Sequence, residues 1–467
     1  MRRVVIALFL LACAAGVVWV RASADSSSVQ SSAPLVYTSA TQYDRDAWLK
    51  GGERFPAGAQ VMVKEGSGSR ELARGFAATA DPAVSFDGTR VLFAAKKSAQ
   101  DSWQVWEVAV AGGEAKQITK CAGDCVRPFY LPGGRLVYAE KLQGRFVLQS
   151  AEFESGKTLQ LSYSPGNAMP TDVLRDGRIL FEAAYPMGSG TSPEIYTVYS
   201  DGSGVESYRC DHGPKREAGK QSASGDIVFA TEQGLGRFTS ALAHQVEVKA
   251  PSGEFAGDAV QVSPDEWLVA WRPDGKAKYS LQKWNTVTGS LTPVDVAEMK
   301  NVSEDNAGPS TPLRSARNDK SKVMADVVQP TVVAPRPVPN QHPSGLHEWS
   351  YANLLCLNAY TSKYNFAPGS VAAMKLYTMD EKGKAKLLGR SAVEADGSFY
   401  VQIPGDKPLQ IELLDKQGKA LQREQGWWWA RKGEQRICVG CHAGPERSPE
   451  NAVPAVLVKS TKPVAMK

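Results

Sequence analysis

Beyond its first two dozen residues, this 467-residue chain has no apolar run long enough to cross a bilayer. Histidine is scarce, with five residues, and the seven cysteines include no second Cys-x-x-Cys pair. A zinc site at the one pair present would therefore need two further ligands from elsewhere in the chain. There is no Gly-rich phosphate loop and no local Ser-His-Asp signature, so nucleotide-binding and hydrolase readings gain no support. Charge is scarce too. The formal net charge is +5, and Arg2, Arg3 and Arg21 supply three of those charges before residue 24 with no acid among them. Without that segment the chain stands near +2, and nothing argues for nucleic-acid binding.

What the first residues do contain is an export signal. Arg2 and Arg3 precede an apolar run from Val4 to Val20, and Ala22-Ser23-Ala24 offers small residues for a signal peptidase, with cleavage before Asp25. Cys13 lies inside the run and raises a lipoprotein alternative. The run continues for seven residues past Cys13 and is short for an anchor, so plain export is the favoured reading. The mature chain is then expected in the periplasm or secreted, with no membrane span. In an oxidising compartment cysteines normally pair, which makes Cys121 and Cys125 a short-loop disulfide candidate; Cys210 and Cys356 either pair or remain buried thiols. The residues left after cleavage are too many for one ordinary core, so two or more domains are expected.

The strongest architectural signal is a repeat. A Gly turn feeds an almost continuous apolar strand in "SFDGTRVLFAA" (85–95), "LPGGRLVYAE" (131–140), "LRDGRILFEA" (174–183) and "SASGDIVFAT" (222–231), with a worn copy in "VSPDEWLVAW" (262–271). Gly88, Gly134, Gly177 and Gly225 are 46, 43 and 48 residues apart. Hairpins with glycine-containing turns lie between the copies, and one more, "VMVKEGSGSREL" (61–72), precedes the first. Four strands every 40-odd residues describe a propeller blade. Five units and an orphan hairpin predict six blades over 57–328, behind an N-terminal segment at 25–56. A late strand near 321–328 is expected to join the orphan hairpin and close the ring.

The texture then changes. "QPTVVAPRPVPNQHP" (329–343) holds five prolines and predicts an extended, stiff connector over 329–349. From residue 350 to 457 a different β pattern appears, with Phe399, Val401 and Ile403 alternating with polar neighbours and Leu409, Ile411 and Leu413 repeating the period. The fold class is thus all-β: a six-bladed propeller, then a small β-sandwich-like domain, then a tail at 458–467.

Chemistry concentrates in "GWWWARKGEQRICVGCHAGPE" (426–446). Cys438 and Cys441 have the spacing for thioether links to a single haem c, and His442 is placed to ligate its iron. A thioredoxin-like dithiol would want a βαβ setting, and the pattern here is β. Few residues follow the motif, so a class I cytochrome, with its downstream Met ligand, does not fit.

The segments "VVAPRPVP", "EADGSFYVQIPGDKPLQIELLDKQG", "GWWWARKGEQRICVGCH" and "GPERSPENAVP" together resemble the middle domain of the hydrazine synthase alpha family, over roughly 330–457. The resemblance implies a β-rich domain with one c-type haem lying against a propeller, and a propeller like that of TolB fits the blades before it. In that family a tyrosine four residues after the motif histidine ligates iron, while the histidine helps to hold zinc. Glu446 stands at the corresponding position here, which puts both the tyrosine ligand and the zinc in doubt. The family's alpha subunit also continues into a second haem domain and works with other subunits, whereas this sequence stops, so hydrazine synthesis itself is not the expected activity.

Other residues are read beside this site. Trp427 and Trp429 would share one strand face and Trp428 the other, as core and haem packing. Arg431, Lys432 and Arg436 either neutralise haem propionates or form a solvated turn. Candidates for the second iron position are His347 first, then His342, His212, His244, Met374 and Met379. Three functions stay open: electron transfer with a redox partner protein docked on the propeller, a haem enzyme acting on small nitrogen or oxygen species, and a propeller binding module with a structural haem.

Overall fold

The computed structural model describes residues 33–187, 190–208, 215–239, 245–296, 325–440 and 452–466. The segment expected to be an export signal, with Cys13, lies outside them, as do Cys210, His212 and His244. The chain is all-β: among the described residues eight sheets form, six from residues 35–332 and two from residues 351–465.

The repeat explains the first region strand by strand. Each Gly turn leads into the second strand of an antiparallel sheet, at Arg90–Lys96, Arg135–Leu142, Ile179–Met187 and Ile227–Ala230; the worn copy supplies Glu266–Arg272. These strands are apolar on both faces because each sheet is packed from both sides. Val91 and Phe93 join a core with Val36 and Val61 of the preceding sheet, while Leu92 joins Cys125 and Leu136 of the following one. Side-chain alternation therefore serves two cores at once, and hydropathy reads as a continuous run.

The boundaries differ from the sequence-based ones. Leu35–Ala40, inside the segment taken as 25–56, is a central strand of the first sheet, between Ala59–Glu65 and Asp326–Val332. One sheet thus takes strands from both ends of the region. The closing strand also runs four residues into the stretch assigned to the connector. Pro330 permits this because it sits where the register shifts, so the ladder needs no donor from it.

The innermost strands carry a feature that hydropathy does not show. Their ladders slip at Asp81, Arg127, Thr171 and Ala218, and again at Gln329. Asp81, Arg127, Ala218, Asp258 and Gln329 all adopt positive φ, between 49° and 57°. Such bulges turn side chains out of the pleat. Here they form a buried belt: Arg54 and Gln329 bind the Asp81 carboxylate, Arg127 donates its backbone N–H to Asp81, and its guanidinium grips Asp258 at 2.7 and 3.0 Å. Burial raises Asp258, yet the Arg127 guanidinium outweighs it and holds the carboxyl below its ordinary value. Glu217 behaves oppositely. Burial pushes it up to about 8, with the Glu182 carboxylate adding to the effect against Arg45 and Lys215.

The connector is extended and lies across the repeat turns. Arg336 N–H donates to Phe86 O and Asn340 N–H to Arg175 O, both at 2.8 Å. Gly177, at φ +86°, is doubly required: a Cβ there would stand 2.0 Å from Asn340 O.

The second region is a two-sheet sandwich. One sheet orders Gln435–Cys438, Tyr351–Cys356, Phe399–Pro404 and Val464–Ala465; the other orders Ala385–Ala392, Ala373–Met379, Leu409–Leu414 and Ala420–Arg423. Alternate residues of both sheets (Leu354, Cys356, Val401, Met374, Leu376, Ile411) share one apolar core. The stretch 458–467, read as a tail, is part of this domain. Val464–Ala465 pairs in parallel with Val401–Gln402, and Met466 is only 7% exposed in the core. Two residues of strand are too short to show a period, which hid them among polar neighbours.

Candidate cysteine site at the sandwich edge

The segment leading to the site is a clamp between the two regions. Trp427–Trp429 is not a strand; its one bridge is Leu409↔Trp428. Trp429 leaves the sandwich and buries its ring in the propeller region against Phe181 and Tyr163, with Nε1 donating to Gly202 O at 3.1 Å. Arg431 follows it. Its Nε donates to Asp406 at 2.8 Å, and Nη1 donates to Gln160 O and Asp201 O at 3.0 and 2.8 Å. Glu434 accepts from the Arg431 N–H at 2.7 Å and from the Gly204 N–H at 3.2 Å. The loop 199–205 is thus held by a planar guanidinium and a carboxylate, each with several partners, as buried charge requires.

Arg431 directs Nε and Nη1 to partners within the protein, and a solvated turn does not describe it. Lys432 fits that description, with most of its side chain exposed. Arg436 reaches Val205 O and Glu434 and lies over the Trp428 ring at 5.3 Å. Burial opposes its charge, but the Cys438 sulfur and Glu434 carboxylate hold the guanidinium above its ordinary value.

Gln435–Cys438 is the edge strand, parallel to Tyr351–Cys356, and Cys356 stands directly beside Cys438. Arg436 and Cys438 share the inward face with Leu354 and Cys356. Ile437 and Val439 point outward, 62% and 43% exposed. The Leu357 N–H donates to Cys438 O at 2.9 Å and fixes the strand end. Gly440 then passes so close to Thr361 that a Cβ would lie 2.0 Å from its carbonyl oxygen. Only glycine fits the third position of this Cys-x-x-Cys run.

Cys441, His442 and Glu446 lie outside the described residues. His347 does not meet Cys438: its N–H donates to Gly433 O at 2.9 Å, at the start of the strand. Gly433 lies five residues ahead of Cys438, up to about 17 Å along the chain. His347 instead stacks on Trp349 at 4.4 Å, and Trp349 on Tyr351 at 5.4 Å. His342 rests edge-on against Tyr199, on the propeller side. Met374 is fully buried in the sandwich core, and Met379 ends its strand. Cys121 and Cys125 are joined by a disulfide, close to the Glu140 carboxylate. The sequence reading passed over the loop after Cys356. Its Tyr360, Thr361 and Tyr364 precede or flank the residues that touch Cys438 and Gly440, and the aromatic spacing in "NAYTSKYNF" was the available signal.

Fold and site together define an all-β protein in which a propeller holds a sandwich with a cysteine-bearing edge. Residues 357–443 match the family described as the hydrazine synthase alpha subunit middle domain. The curated hydrazine synthase subunit alpha of Kuenenia stuttgartiensis is 36% identical over 61 residues, which span 13% of this chain and only 8% of that relative. The solved structure of Kuenenia stuttgartiensis hydrazine synthase superposes with a TM-score of 0.72 at 15% identity, over 91% of this chain and 71% of that one. TolB from Acinetobacter baumannii aligns with a TM-score of 0.43 at 12% identity, over 64% of this chain and 66% of its own. This chain is similar to hydrazine synthase alpha in its middle domain, and a β-propeller precedes that domain. Among the described residues no helix is long and apolar enough to cross a membrane.

Proposed function

We propose that the protein is an exported redox protein carrying one covalent haem c, linked through Cys438 and Cys441 with His442 on the iron. In this reading the six sheets of the first region are six blades, closed by Leu35–Ala40 pairing with Asp326–Val332, and they offer the docking surface for a redox partner. The observation that carries the proposal is the edge strand itself. It presents Cys438 beside outward, exposed Ile437 and Val439, and it continues through Gly440, whose backbone passes close to the Thr361 carbonyl. An apolar surface next to a thiol suits a porphyrin, which supplies one-electron chemistry when bound. The clamp at Trp429 and Arg431 then holds this edge fixed relative to the propeller.

The test is a pyridine haemochrome assay with intact mass on protein made alongside haem-maturation machinery. One haem per chain is expected, and Cys441→Ser should lose the two-thioether spectrum. Wild type without covalent haem would sink the proposal. The middle-domain match favours a second reading, a haem enzyme for small nitrogen or oxygen species. An iron that binds carbon monoxide or nitric oxide in the resting state would select that reading over electron transfer.

A further inference from the structure

Lys220 is a cation that the central belt does not use up. It sits on the innermost strand Glu217–Gln221, with its side chain only 16% exposed. Its ammonium lies 4.4 Å over the Phe129 ring and 3.6 Å from Asp258 Oδ1. Among the described residues no acceptor stands within hydrogen-bonding distance of it. Asp258 is already gripped by Arg127 at 2.7 and 3.0 Å, so one carboxylate answers two cations. A buried ammonium without acceptors is costly, and Lys220 faces a recess of about 260 Å³.

That recess is built from several sheets at once. Phe129 comes from Cys125–Leu131 and Thr331 from the closing strand Asp326–Val332. Pro82, Pro128 and Pro330, each following a bulge residue, line much of the rest and offer no N–H. The Thr331 hydroxyl has only a long bond to Pro82 O at 3.4 Å. Arg127 is engaged by Asp258 and Pro170 O. The donors left for an occupant are therefore Lys220 and Thr331, above an apolar wall.

We propose that this recess binds a small monocarboxylate, its carboxylate on the Lys220 ammonium and the Thr331 hydroxyl, its short alkyl part against Phe129 and the prolines. A single surplus cation suits a monoanion, and the apolar wall disfavours an anion that must stay hydrated on all sides, such as inorganic phosphate. The site lies in the propeller region and does not depend on the haem proposed above.

The test is calorimetric titration of the full mature chain, at low ionic strength and neutral pH, with butyrate, acetate, inorganic phosphate and chloride. Saturable binding of butyrate is expected, tighter than acetate, with phosphate and chloride at least about tenfold weaker. Lys220→Met should weaken butyrate at least about tenfold and Thr331→Val about fivefold. Burial lowers the Lys220 ammonium from its ordinary value. Wild-type affinity should therefore fall as the pH rises through that lowered value, while Lys220→Arg retains it. Asp172, Asp258, Arg127 and Arg336, the charged groups that act on Lys220, keep their charge over that range. No saturable heat, phosphate or chloride binding as tightly as butyrate, or Lys220→Met binding like wild type would each overturn the site. If Lys220→Met fails to fold, Thr331→Val and the wild-type pH profile decide: unchanged affinity in both overturns it.

Discussion

The propeller region and the sandwich place their polar chemistry in opposite ways. The first buries it at the centre, where Asp81, Arg127, Asp258 and Gln329 are turned inward by bulges and bonded to one another. The second keeps an apolar shared core and puts Cys438 at the outer edge strand, beside the core residue Cys356. A central belt in which each charge has a partner is a structural device. An edge thiol with exposed apolar neighbours is a place for chemistry. The clamp between them, from Trp429 to Arg436, decides whether the edge is held or loose, so breaking it should have the largest effect.

Arg431→Met removes a buried guanidinium that meets Asp406, Gln160 O and Asp201 O, and leaves the Asp406 carboxylate with only Lys432 as a partner. Breaking one partner of a buried pair costs about 3–5 kcal/mol. Denaturant unfolding followed by tryptophan fluorescence should show that loss and a separation of one transition into two. The neighbouring Lys432→Met, at an exposed position, should change stability by no more than about 0.5 kcal/mol. Equal effects would remove the clamp from the account.

A glycine from each region gives a smaller, matched contrast. Gly177 and Gly418 have similar φ, +86° and +80°, but a Cβ meets Asn340 O at 2.0 Å in the first and nothing within 4 Å in the second. Gly418→Ala should cost about 1 kcal/mol from backbone strain alone. Gly177→Ala should cost about 2–3 kcal/mol, because the connector must also move. Thermal midpoints that coincide would mean that the connector does not bear on the turns.

The contrast also accounts for what could be read in advance. The turn-strand repeat was legible because Gly88, Gly134, Gly177 and Gly225 recur and each following strand is apolar on both faces. The sandwich was legible from the period-two run at Phe399, Val401 and Ile403. The belt was not, since a bulge changes neither hydropathy nor spacing; Asp81-Pro82, Arg127-Pro128 and Gln329-Pro330 were its only trace. At the site, Cys438 announced itself through Cys-x-x-Cys-His. Its neighbour Cys356 did not, because parallel pairing across 82 residues leaves no local pattern. The place of His347 was hidden by the same limit, since no local pattern says that its backbone meets Gly433 ahead of the edge strand. Arg431 was left between a haem propionate partner and a solvated turn, because its partners Gln160 and Asp201 lie in the other region and leave no local pattern.

A pH-dependent effect tests the buried charge beside the central belt. Glu217 has an ordinary value of 4.5 and is pushed up to about 8, first by burial and then by the Glu182 carboxylate. The folded chain therefore holds a proton that the unfolded chain has already released between those two values. Its stabilising contribution is fully present below about pH 4.5 and is lost as the pH climbs through about 8. The slope from one such group is at most about 1.4 kcal/mol per pH unit. Glu217→Gln keeps the shape and cannot titrate, so its stability should be flatter from pH 5 to 8 than that of the wild type. The check is denaturant midpoints at each pH, read as the difference between the two proteins. A difference between the two proteins that stays flat over that range would mean that Arg45 and Lys215, at 3.1 and 3.3 Å, outweigh burial and keep the carboxylate charged. The inner end of the propeller would then be a fully ionised network, and its contrast with the sandwich edge would rest on position alone.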